Sequence, residues 1–67
     1  MKEKVPDRAI EHTVSYLGDG AYVACDDIDG GLILWTSDGI SPTNEVYLGP
    51  SELKSLHNYL KRHFNIP

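Results

Sequence analysis

Gly31-Leu-Ile-Leu-Trp-Thr-Ser37 is apolar at four consecutive positions, and its reading decides the fold. Consecutive side chains of a β-strand point to opposite faces of the sheet. Leu32 and Leu34 therefore share one face, and Ile33 and Trp35 the other. A strand apolar on both sides needs two covers, and a chain of 67 residues with one helical segment supplies only one of them in an obvious way.

Working outward, Asp29-Gly30 suits a two-residue type I′ turn, which sets Cys25 opposite Leu34 and Ala24 opposite Trp35. Further back, His12-Thr-Val-Ser-Tyr-Leu17 and Ala21-Tyr-Val-Ala-Cys-Asp26 read as strands joined at Gly18-Asp19-Gly20. A three-residue loop with Gly20 left-handed pairs Leu17 with Ala21 and Tyr16 with Tyr22, whereas an Asp19-Gly20 turn would pair Leu17 with Tyr22. The first register agrees with the next hairpin. The first face then collects Val23, Cys25, Leu32 and Leu34. The second collects Tyr16, Tyr22, Ala24, Ile33 and Trp35.

Downstream, Ser37 to Asn44 reads as a loop before a short fourth strand, Glu45 to Leu48, which adds Val46 and Leu48 to the first face and Tyr47 to the second. Gly49 is placed to cap a helix that has Pro50 at its first position and Glu52 in its first turn. Leu53, Leu56, Leu60 and Phe64 form one apolar stripe, and Asn65-Ile-Pro67 stops the helix. The expected fold is α+β: a four-stranded antiparallel meander with one C-terminal helix packed on the first face. Residues 1–9 read as a flexible N-terminal arm, and residues 10–67 as a single domain.

The second face, with Tyr16, Tyr22, Ile33, Trp35 and Tyr47, is of the kind that marks an interface or binding surface. Three covers are open to it: a second copy of the chain packed over Ile33, Trp35 and Tyr47, a planar ligand stacked on the aromatics, or the arm folded back through Val5 and Ile10.

Charge narrows the function. Lys2, Lys4, Arg8, Lys54, Lys61 and Arg62 all lie near the ends, with no Lys or Arg between Ala9 and Leu53, so the acidic centre argues against direct binding to DNA or RNA. No run of about 18 apolar residues is present, and the N-terminus lacks an apolar signal segment, so a cytoplasmic protein without a membrane span is expected. Cys25, the one cysteine, has no intrachain partner for a disulfide. The three histidines lack metal-site spacing, and aligning Cys25-Asp-Asp-Ile-Asp-Gly30 with a calcium loop puts Cys25 and Thr36 at ligand positions that neither suits. With no phosphate loop or nucleophile elbow, neither catalysis nor a cofactor is expected.

Tyr16-Leu-Gly-Asp-Gly-Ala-Tyr22 and Glu45-Val-Tyr-Leu-Gly-Pro-Ser-Glu-Leu53, with Leu56 and Tyr59 beyond, resemble a group of short proteins encoded by bacteriophages and prophages. The likeness runs from Ser15 to Tyr59. Gly49 stands where that pattern has Asp before the Pro. The resemblance implies a small viral accessory protein without catalysis, of a kind that often counters host defence, in some cases as an oligomeric sponge for cyclic nucleotide signals. On that analogy Tyr16, Tyr22 and Trp35 would stack on bases, and Thr36, Ser41, Thr43 and Asn44 would hydrogen-bond sugar or base edges. Arg8, Lys54, Lys61 or Arg62 would balance phosphates. The alternatives are an acidic inhibitor that docks onto a basic host defence protein, and a structural protein whose aromatic face serves self-association alone.

Overall fold

The computed structural model describes residues 4–38 and 41–67. Four strands, β1 (Ser15–Gly18), β2 (Ala21–Cys25), β3 (Leu32–Ser37) and β4 (Pro42–Leu48), form one antiparallel sheet in chain order, followed by the helix α1 (Pro50–Phe64). This is the expected ββββα architecture.

Neither hairpin has the turn expected of it. In the first, Asp19 (φ 53°) and Gly20 (φ 79°) are both left-handed, so the tight two-residue turn lies here, with Gly18 opposite Ala21. A bulge between Tyr16 and Gly18 keeps Tyr16 opposite Tyr22 and pushes Leu17 out of the ladder. In the second hairpin Asp29 is not left-handed, which rules out a type I′ turn at Asp29-Gly30. Instead the Asp26 carboxylate accepts the Ile28 N–H (2.9 Å), widening the loop to residues 27–30, and the Asp26 N–H donates to the Gly31 carbonyl (2.9 Å). Cys25 therefore pairs with Leu32 and Ala24 with Ile33, two residues away from the expected register. A shift of two preserves the faces, since only odd shifts exchange them.

Two boundaries also move. Glu11–Thr13 is a 3-10 turn rather than strand, because the Thr13 hydroxyl donates to the Ile10 carbonyl (2.6 Å) and accepts the Cys25 N–H (2.8 Å) in place of a backbone ladder. The fourth strand begins at Pro42, not Glu45, so Thr43 and Asn44 belong to β4. Residues 39 and 40 of the expected loop lie outside the described residues.

The core sits on the second face. Ala24, Ile33 and Trp35 are buried, with Val5, Ala9, Val14 and Tyr22 packed against them. Residues 4–10 thus run across the second face, held by hydrogen bonds from Ile10 N–H to the Cys25 carbonyl (2.9 Å) and from Asp27 N–H to the Arg8 carbonyl (2.8 Å). Residues 1–3 of the arm are not among the described residues.

The helix does not pack on the first face as expected. None of its residues is buried, and β4 is its main neighbour. The cause is the connection: Gly49 alone separates the edge strand β4 from Pro50, and it is extended (φ −75°, ψ 179°), so the chain has no loop in which to reverse over its own sheet. Glu52 accepts the Gly49 N–H (3.0 Å), which starts the helix at once. The molecule is accordingly elongated, 39 × 26 × 19 Å. Its radius of gyration is 12.6 Å, against about 11 Å for a compact chain of this length.

Candidate functional site

Two surfaces result, one covered and one open. On the covered face Tyr16, Tyr22 and Trp35 form an aromatic ladder across three strands, because cross-strand pairing places Tyr22 beside both others. Ring centroids are 5.0 Å apart for Tyr16 and Tyr22, and 5.7 Å for the stacked Tyr22 and Trp35. The Gly20 N–H donates to the Tyr16 hydroxyl (3.1 Å), which ties the ladder to the first turn.

Beside the ladder, Arg8 closes the arm onto the sheet. Its Nε and Nη2 donate to the two carboxylate oxygens of Asp26 (3.1 and 2.6 Å), Nη2 lies 3.2 Å from Asp29, and the guanidinium stands 4.5 Å over the Tyr47 ring. Burial alone would raise the ionisation range of the Asp26 carboxyl. The Ile28 N–H and Arg8 outweigh it and hold the group below the usual carboxylate range. The same hydrogen bond raises that of Arg8 further. The Tyr47 hydroxyl donates to Glu45, which makes Tyr47 ionise at higher pH than usual. An open depression of about 460 Å³ flanks this knot between Lys4, Val5 and Pro6 of the arm and Pro42, Glu45 and Tyr47 of the sheet.

The open face carries two rows of apolar side chains, Cys25–Leu32–Leu48 and Val23–Leu34–Val46, because β2, β3 and β4 pair in those positions. The next row, Thr36 and Asn44, is polar. Thr36 and Thr43 hydroxyls are hydrogen-bonded (2.8 Å), and the Asn44 amide donates to Thr36 (3.4 Å). Val46 is 53% exposed and Cys25 is exposed, while on the helix Leu56, Tyr59 and Phe64 are exposed as well.

The sequence-derived nucleotide set is thereby divided. The aromatics lie on the second face, with Trp35 only 3% exposed, while Thr36 alternates with Trp35 along β3 and faces the other way with Asn44. Ser41 is held in a turn, its N–H donating to the Asp38 carboxylate (2.9 Å). Of the four cations expected to balance phosphates, Arg8 is engaged by Asp26, and Lys54, Lys61 and Arg62 stand exposed on α1. Ile33 and Trp35, expected at a subunit interface, are buried inside the chain, and Tyr47 beside them is partly exposed. Among the described residues no group of His, Cys, Asp or Glu could hold a metal ion, and no helix is long and apolar enough to cross a membrane.

Sequence reasoning misses the open face as a surface, because the helical stripe is the evident cover for it. The available signal is the one-residue connection between an edge strand and Pro50. It also misses the Arg8–Asp26 pair, for which no sequence spacing speaks.

No family model, no curated protein and no solved structure matches the chain.

Proposed function

We propose that this protein is a non-catalytic binding protein that works as a self-assembled oligomer and meets its targets through protein surfaces. One observation carries the reading: a chain whose buried apolar core is Ala24, Ile33 and Trp35 leaves Cys25 and Val46 of its apolar sheet face and Leu56 and Phe64 of its helix stripe exposed, and buries the remaining residues of both surfaces only in part. Such surfaces occur together in a soluble chain when another protein surface covers them. The nucleotide-sponge reading is the weaker one, since its stacking platform would need Trp35, which lies beneath the arm. The resemblance to phage accessory proteins adds a host protein as the expected target, and the acidic surface at Asp19 and Asp27 suits a basic one.

The test is sedimentation equilibrium over a hundredfold range of protein concentration at two salt strengths. Self-association at micromolar concentration is expected. A monomer at every concentration would overturn the reading.

A further inference from the structure

Resting on that reading, we propose that the open face is covered by the helix of a second copy. In this symmetric dimer, α1 of each chain lies across the β2–β3–β4 face of the other.

The two surfaces fit in shape. The sheet face offers two adjacent rows of three apolar positions, Cys25–Leu32–Leu48 and Val23–Leu34–Val46. The helix offers Leu53, Leu56, Leu60 and Phe64 on one side, a stripe about 16 Å long at 1.5 Å per residue. Each surface is what the other lacks, and a reciprocal exchange satisfies both at once under two-fold symmetry.

They also fit in charge. From Ile10 to Leu48 the sheet body has no Lys or Arg; Asp26 and Glu45 lie on the covered face and Asp29 is held by Arg8, which leaves Asp19, Asp27 and Asp38 in the turns at the ends of the open face, while the helix carries Lys54, Lys61 and Arg62 against Glu52. Lys54 and Lys61, seven residues apart, line one border of the stripe, where they would reach the turn carboxylates at the ends of the partner's sheet. The same helix laid on its own sheet would gain equal complementarity, but the single extended residue Gly49 carries it off the edge.

The missing cover has the right size. The accessible surface is 4979 Å². A compact monomer of 7.5 kDa exposes about 4250 Å². The excess, about 700 Å² per chain, is close to the roughly 800 Å² that each partner contributes to a standard interface.

Cys25, the one cysteine, lies on the open face and makes the proposal testable in the full-length chain. Leu53→Cys, Leu56→Cys and Leu60→Cys are made one at a time, oxidised at dimer-forming concentration and run on non-reducing gels beside sedimentation of the reduced proteins. At least one variant is expected to convert largely to a disulfide-linked dimer, lost when Cys25→Ser is added, while the parent chain does not. An intramolecular disulfide in a monomer would overturn the exchange by placing the helix on its own sheet. A dimer in sedimentation with no Cys25 cross-link from any variant would overturn the exchange and leave self-association standing. A monomer in sedimentation would overturn both.

Discussion

A Cβ atom placed on Gly31 would lie 1.9 Å from the Leu48 carbonyl oxygen and 2.8 Å from the Gly49 Cα. Both obstacles are backbone, so neither can swing aside as a side-chain tip would. The close approach of Gly31 to Leu48 fixes where β4 ends and so where the helix departs.

Gly31→Ala is therefore expected to destabilise the fold by about 2 kcal/mol or more, in the range of an overpacked core. It should also weaken dimerisation, because the helix exit must move. Urea unfolding with a parallel measurement of mass checks both effects. Unchanged stability would show that the β3–β4 end is loosely held.

Acid should release the arm. The folded-state ionisation of Asp26 lies below its ordinary value of 3.8, so its contribution with Arg8 is fully present above that pH and is lost as the pH falls through the lower, folded value. Arg8 stays charged throughout. Trp35, the one tryptophan, lies under the arm and reports the change: its emission should shift to the red below about pH 4. Asp26→Asn should show the shifted emission already at neutral pH.

Trp35→Ala should cost about 3–5 kcal/mol, the usual range for emptying a buried aromatic site. In a domain with so small a core that leaves little or no folded protein at 25 °C, which circular dichroism will read. A well-folded Trp35→Ala variant would mean that the arm and ladder are not the core.

The period-two alternation within Tyr22–Cys25 and Leu32–Trp35 was enough to assign those residues of β2 and β3 to their faces, and it survived a register displaced by two. The helix, too, was legible from Leu53, Leu56, Leu60, Phe64 and Pro50. What the sequence left open was which surface covers which. An apolar stripe states that a helix needs a cover, without stating whose, and only the extended backbone of Gly49 decides against its own sheet. The arm was one of three covers open to the second face, through Val5 and Ile10, and it packs there through Val5 and Ala9; no period in the sequence singles it out from the other two. The nucleotide site failed to assemble because alternation along β3 separates Trp35 from Thr36.

A panel of nucleotides and cyclic dinucleotides should leave the melting temperature unchanged. A ligand at about 100 Kd would add about 2.7 kcal/mol, several degrees in a domain this small. Such a shift would require Trp35 to be uncovered and would return nucleotide sequestration to first place.

Hydrogen exchange in α1 tests the central claim most directly. A 15-residue helix with no buried residue is marginal in water, so in a lone chain its amides should exchange about as fast as those of a free peptide. If a second copy covers it, amides from Leu56 to Phe64 will be protected at high protein concentration and lose that protection on dilution while β2 and β3 stay protected. Rapid exchange in α1 at every concentration, above a protected sheet, would contradict the account.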